Sequence, residues 1–311
     1  MPPSRPRPSG AVVAVSSNKG GVGKTTLTSN LAIYLRALRE DLPVLVVGLD
    51  DQRTLDRMFS LRAQGHFEGN LKHGWARRSL AGVAQLGEYG VHFVPSPPDV
   101  ESLKARAEDS GMLSRILANT KWPGIVLLDT KSDLEALTRS AYEAADRVIV
   151  PVADWASLEE AAKILELLER TPGGAAKARI VFTLVDRRTR VGGPGTPLLR
   201  RLADETHARG WPYYKTHLSR SPRVETLNSG GDRPLSILHH ARGTAVHAQL
   251  RELTLEVLHD LALGDEEAHG PGLVRAEPAT RRSLTSELLA GASAFTSAWR
   301  RAASDRTGED R

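Results

Sequence analysis

The chain has 311 residues, 40% hydrophobic and 25% charged, enough for one large α/β domain or two small ones and too ordinary a composition for disorder throughout. It contains no cysteine, which removes disulfides, thiolate catalysis, iron–sulfur ligation and cysteine-built zinc sites, so any metal is expected on oxygen. The formal charge is +5, no apolar run approaches the roughly 20 residues of a membrane-spanning helix, and the opening MPPSRPRPSG lacks the apolar stretch of a secretory signal; a cytoplasmic protein is expected.

Residues 1–10 read as loose. Residues 11–16 (AVVAVS) form a short β-branched apolar run that ends in a glycine-rich turn, and Leu27, Leu31, Tyr34, Leu35 and Leu38 then recur at helical spacing over 25–38. Further strand-like runs lie at 44–49, 91–94, 125–128, 148–152 and 180–184, with a helical pattern at 157–170 and a closing helix near 244–263. Alternation of this kind predicts a doubly wound, mostly parallel sheet with helices on both faces, because parallel strands need crossover connections. No assignment is made for 61–90, where glycine, histidine and Trp75 are scattered. A body at 11–263 is therefore expected, followed by a tail at 264–311 that opens with a linker, GDEEAHGPG.

The chemistry concentrates in Lys19-Gly20-Gly21-Val22-Gly23-Lys24-Thr25-Thr26, between the first strand and the first helix. Three glycines let several backbone N–H groups converge on one phosphate, and the helix that follows adds the positive end of its dipole. Lys24 supplies a point charge for the β and γ phosphates, and the Thr25 hydroxyl suits Mg²⁺ beside them. Gly20, Gly21, Val22, Gly23, Lys24, Thr25 and Thr26 are thus the expected nucleotide-binding residues, with ATP and Mg²⁺ as cofactors.

The extra lysine makes the loop specific. KGGVGKTT resembles the signature of the ParA/MinD family of deviant Walker A P-loop ATPases, ParA-type partition ATPases in particular. The resemblance implies that Lys19 reaches across a dimer interface to the partner's nucleotide, so that ATP joins two subunits. Gly48-Leu49-Asp50-Asp51-Gln52 is similar to the family's Asp-x-Asp-Pro-Gln segment, which implies that Asp50 orients the attacking water; the first aspartate is replaced by Gly48 and the proline by Asp51. Asp129, after the run 125–128, resembles the Walker B aspartate that contacts the metal through water. Relatives often continue with two prolines where this chain has Lys131-Ser132. Lys19, Lys24 and Asp50 are the expected catalytic residues, and Thr25 and Asp129 the expected metal residues. Reductase relatives with an iron–sulfur cluster are excluded by the missing cysteines.

Between residues 187 and 223, nine basic residues face two acidic ones, an excess larger than that of the whole chain. Such clustering suits a polyanion. The segments 183–190 and 218–223 are similar to ParA segments near the adenine, and the resemblance implies that Arg188, Arg220 and Arg223 belong to a nonspecific DNA-binding surface. It also implies a homodimer with ATP, a ParB-like centromere-binding partner and association with the nucleoid. In the tail, Leu284, Leu288, Ala292, Phe295 and Trp299 share one helical face, so a MinD-like membrane-cycling ATPase is an alternative. A nucleotide-binding adaptor with little hydrolysis is another, motivated by Gly48.

Overall fold

The computed structural model describes residues 10–50, 52–61, 69–104, 109–186, 188–190, 196–229, 231 and 233–263. The expectations for the loose N-terminus up to residue 9, for Asp51, and for the linker and amphipathic helix of 264–311 lie outside the described residues.

Among them the chain runs β1 (Val12–Val15), α1 (Lys24–Leu38), β2 (Val44–Gly48), α2 (Thr54–Phe59), α3 (Leu71–Arg77), β3 (Gln85–Leu86), β4 (His92–Val94), α4 (Glu101–Lys104) and α5 (Met112–Thr120). It continues with β5 (Ile125–Asp129), α6 (Ala136–Ala144), β6 (Arg147–Val152), α7 (Trp155–Leu168), β7 (Ala178–Phe182), α8 (Leu198–Ala208), α9 (Pro222–Ser229), α10 (Ile237–His240) and α11 (Ala245–Asp260). The strands form one sheet in the order β3-β4-β2-β5-β1-β6-β7, parallel except for β3, which runs antiparallel to β4.

Val, Leu and Ile dominate the inner strands because both faces of a parallel sheet are covered. Side chains alternate between those faces. Val13 and Val15 of β1 pack with Leu27, Leu31 and Leu35 of α1 and Leu250, Leu253 and Val257 of α11. Val12 and Ala14 pack on the opposite side with Ile116 and Leu117 of α5, Tyr142 of α6 and Leu158 of α7. The sheet is doubly wound, as its element pattern predicts, and β1 lies between β5 and β6, with the glycine loop following its C-terminal end. A ligand in such a sheet is expected at that rim.

Boundaries shift where caps override periodicity. The helix expected at 157–170 spans Trp155–Leu168, because the Asp154 carboxylate accepts from Ser157 N at 2.8 Å and the Ser157 hydroxyl closes the capping box, which sets the first helical residue two positions before Ser157. The strand expected at 180–184 ends at Phe182, and Leu184 turns out of the sheet at φ 53°. Among the described residues no further strand precedes Leu218: only isolated bridges, Ile180 to Tyr213 and Val185 to Ser219, extend the sheet there. The stretch before residue 90, which carries no periodicity, holds α3 and the short β3, anchored by the buried Leu71 and Trp75.

Candidate nucleotide-binding site

Past Val15 the loop is pinned from both neighbouring strands. Ser16 N donates to Ile149 O at 2.9 Å, Thr130 N donates to Val15 O at 3.2 Å, and the Ser16 and Tyr142 hydroxyls lie 2.7 Å apart. From the β7 side, Thr183 Oγ1 donates to Val22 O at 2.8 Å. Gly21 at φ 76° and Gly23 at φ 88° take left-handed turns that a side chain would resist. Gly23 is also the N-cap of α1 and offers no side-chain cap, nor does the first turn carry an acid. The N–H groups that open α1 therefore point outward without an intrahelical acceptor, which is the ordinary construction of an anion site.

Lys24 is 7% exposed. Its ammonium donates to Ser132 Oγ and to Lys19 O at 3.3 Å. Burial lowers its pKa, opposed by the charges of Asp129, Asp50 and Asp133. A buried cation resting on neutral oxygens favours an incoming anion. Asp129, 1% exposed at the end of β5, is pushed up to about 6 by burial, against hydrogen bonds from Thr25 and Thr28. Thr28 Oγ1 lies 2.9 Å from Asp129 Oδ1.

Thr25, Asp50 and Asp129 line one small cleft with Gly48, Gln52 and Ser96. These donors are a hydroxyl and carboxylates, which suit a hard divalent cation. At Gly48 a side chain would meet Leu55 Cδ1 at 3.2 Å and Ser96 Oγ at 3.3 Å, so the aspartate that relatives carry has little room. The nearby buried carboxylate is Asp56, which accepts from Ser96 N at 3.0 Å and Ser96 Oγ at 3.2 Å and so ties α2 to the end of β4. Burial raises its pKa.

Lys19 lies at the outer rim of the loop. Its Nζ donates to Asp154 Oδ2 at 2.5 Å, with the two side chains 34% and 45% exposed. Burial would raise the Asp154 pKa, but hydrogen bonds from Lys19 and Ser157 carry it below the usual carboxylate range. Beside it, Asn18 Nδ2 donates to Glu160 Oε2 at 2.5 Å. On the other side of the loop, Val22, Gly23 and Thr26 border an open cleft completed by Leu184, Leu218 and Asn228. The segments around 184 and 218 are thus brought together at the glycine loop, clamped by Val185 N donating to Leu218 O at 3.0 Å and Arg220 N to Val185 O at 2.9 Å.

Arg220 is part of that clamp, and Arg188 follows Val185 by three residues. Arg188, Arg220 and Arg223 are all exposed. Two are engaged nonetheless: Arg220 Nε donates to Glu225 Oε1 at 2.8 Å, which raises its pKa, and Arg223 Nε donates to His240 O at 2.9 Å. Elsewhere in the basic segment Arg209 donates to Glu205 and Glu159, both at 2.7 Å, and Arg201 stacks 5.7 Å from the Trp155 ring. Glu159 and Glu225, which lie outside that segment, are brought in by folding, so the excess read along the chain overstates the free charge at this surface.

Sequence reasoning missed Asp154, Ser132 and Asp56. The Asp-x-x-Ser cap at the start of α7 is the signal that could have placed Asp154 at a helix entry; the other two are contacts made across the fold.

The family described as AAA domain (AAA_31) matches residues 10–172. The chromosome-partitioning ATPase Soj of Thermus thermophilus is 34% identical over 182 residues, 57% of this chain and 70% of that protein. This chain belongs to the ParA/MinD family of P-loop ATPases. The chromosome partitioning protein ParA of Caulobacter vibrioides is 27% identical over 247 residues, 71% of this chain and 84% of that protein. A putative plasmid partition protein from Borrelia burgdorferi, solved with AMPPNP, has the same fold, with a TM-score of 0.60 at 15% identity over 82% of this chain and 99% of that one. Membership in this family makes the chain an ATPase related to partition proteins. No helix among the described residues is long and apolar enough to cross a membrane.

Proposed function

We propose that this protein is an ATP-dependent dimerising switch for plasmid or chromosome partition. The observation that supports it best is the second lysine: Lys24 lies buried under the loop, while Lys19 stands at the rim with one weak contact. An ion pair this exposed contributes under about 1 kcal/mol, so Lys19 leaves Asp154 readily for the nucleotide of a second subunit.

In this reading the backbone N–H groups from Gly20 to Thr26 and the Lys24 ammonium hold the β and γ phosphates of ATP, and the cleft at Val22, Leu184 and Leu218 takes the adenine. Thr25 directly, and Asp129 through water, would hold Mg²⁺, which would supply charge neutralisation for phosphoryl transfer. Asp50, across the same cleft, orients the attacking water. Loss of an aspartate at Gly48 is compatible with slow hydrolysis that a ParB-like partner stimulates. The ATP dimer pairs two copies of the surface with Arg188, Arg220 and Arg223 and binds the nucleoid without sequence preference. Phosphates must displace Glu225 from Arg220, which exposed pairs permit.

Titration of random-sequence duplex with ATP present tests the DNA step. Arg220→Glu with Arg223→Glu should weaken binding to every duplex about equally and flatten the salt slope by roughly one unit for each phosphate no longer neutralised, while ATP binding survives. Wild-type affinity at several salt concentrations would contradict it. The apolar spacing of Leu284, Leu288, Phe295 and Trp299 favours a second reading, a membrane-cycling ATPase, for which flotation with anionic vesicles would show ATP-dependent binding.

A further inference from the structure

The Lys24 ammonium has three protons to give. Among the described residues, the one side chain that receives any of them is Ser132, on the loop between β5 and α6. The other acceptor is the carbonyl of Lys19, at 3.3 Å. A hydroxyl is a weak partner for a buried cation, and a phosphate oxygen bearing formal charge displaces it. The hydroxyl has its own proton to donate, and while it serves Lys24 it uses only its lone pairs.

The residues on either side of Ser132 couple it to the rest of the domain. Thr130 Oγ1, two positions earlier, lies 3.1 Å from Val15 O and 2.9 Å from Ser16 Oγ, so the loop's start is fixed to the base of the phosphate loop. Asp133 Oδ1, one position later, accepts from Glu135 N at 3.2 Å and from Thr138 Oγ1 at 2.8 Å, which ties the loop's end to the first turn of α6. Ser132 lies half-buried between one fixed point and one helix start.

We infer that Ser132 reads the terminal phosphate: it holds Lys24 when the γ position is empty, and when a triphosphate takes Lys24 it turns its hydroxyl to donate to the γ-phosphate, moving Asp133 and the start of α6. The inference rests on the nucleotide seating against Lys24. With a diphosphate Lys24 gives protons to the β-phosphate alone and keeps one on Ser132, whose hydroxyl then has no γ-phosphate oxygen to donate to. The residue therefore discriminates ATP from ADP rather than adding to affinity for both.

The test is competition of a fluorescent ADP analogue from the full-length protein by AMPPNP and by ADP, each with Mg²⁺, for the wild type, Ser132→Ala, Ser132→Gly and Ser132→Thr. One hydrogen bond to a charged group corresponds to about a tenfold change, so Ser132→Ala and Ser132→Gly should reduce the preference for AMPPNP over ADP by about tenfold, chiefly by weakening AMPPNP. Ser132→Thr, which keeps the hydroxyl, should retain the preference. A preference within about twofold of wild type in whichever of the Ala and Gly variants folds would overturn the inference, since a tenfold change is the expectation. Lys24→Ala, run alongside, should abolish binding of both nucleotides. If it keeps both, the nucleotide-site reading fails and Ser132 falls with it; if it binds neither while Ser132→Ala keeps its preference, Ser132 alone is wrong.

Discussion

At the N-terminal ends of β6 and β7, Asp260 at the close of α11 receives Arg147 Nε at 2.8 Å and Arg179 Nη2 at 2.7 Å, with the Tyr214 hydroxyl donating at 3.2 Å. At the C-terminal end of β1, loop and helix converge on a buried ammonium held by a hydroxyl and a carbonyl, and on a buried carboxylate held by two hydroxyls. The first arrangement settles its charges within the fold and fastens the last helix to the sheet. The second leaves them to be settled by a ligand. Both are built from the same parallel strands, so the difference lies in what the loops bring, and the rim that is left unsettled is the one that binds.

The largest effect should come from removing the cation at the unsettled end. Lys24→Met should weaken ATP binding by roughly 10²- to 10³-fold, because several charge-assisted hydrogen bonds to phosphate vanish together. The same substitution should leave the nucleotide-free protein within about 1 kcal/mol of wild type, since relief of a buried charge is offset by loss of its attraction to Asp129, Asp50 and Asp133. Isothermal titration and thermal melts read the two quantities, and a Lys24→Met protein destabilised by well over about 1 kcal/mol would show that the ammonium is settled by the fold after all.

Asp50→Ala should come next. Turnover is expected to fall by roughly 10²-fold with ATP affinity nearly unchanged, because orienting a water acts in the transition state. Steady-state rates beside equilibrium binding decide this, and unchanged turnover would assign the water to another group.

The settled end should answer in stability alone. Asp260→Asn should lower unfolding free energy by about 2 kcal/mol and leave nucleotide affinity unaltered, since two arginines would then face a neutral amide in place of a carboxylate. Burial raises the Asp260 pKa, but the hydrogen bonds and charges of Arg147 and Arg179 prevail and hold it below the ordinary 3.8. A depressed carboxylate stabilises fully above its unfolded value and ceases to do so as pH falls through its folded one. The deficit of Asp260→Asn should thus stay constant at neutral pH and shrink below about pH 4, as chemical denaturation across pH would show. Smallest of all, Asp154→Asn should shift stability by less than about 1 kcal/mol, because its pair with Lys19 is exposed.

The unsettled end was the more legible in sequence. Glycines that must turn left-handed, a lysine and a threonine at fixed spacing, and an aspartate closing an apolar run are local signals, and KGGVGKTT, Asp50 and Asp129 could be read from neighbours alone. The apolar runs likewise revealed the inner strands. What stayed hidden depends on residues distant in the chain: Asp260 meets Arg147 across 113 positions, Ser132 meets Lys24 across 108, and Glu159 meets Arg209 across 50. Charge read along the chain counts Arg209 and Arg220 as free, whereas folding pairs them with carboxylates. The short β3 was hidden for another reason, since a two-residue edge strand leaves no periodicity to detect.

Sedimentation velocity of the wild type and Lys19→Ala, each with ADP and with AMPPNP and Mg²⁺, tests the switch most directly. The wild type should be monomeric with ADP and dimeric with AMPPNP, while Lys19→Ala should bind AMPPNP and remain monomeric. A Lys19→Ala protein that dimerises with AMPPNP as the wild type does would make Lys19 a rim residue held by Asp154 and nothing more, and would contradict the dimerising switch.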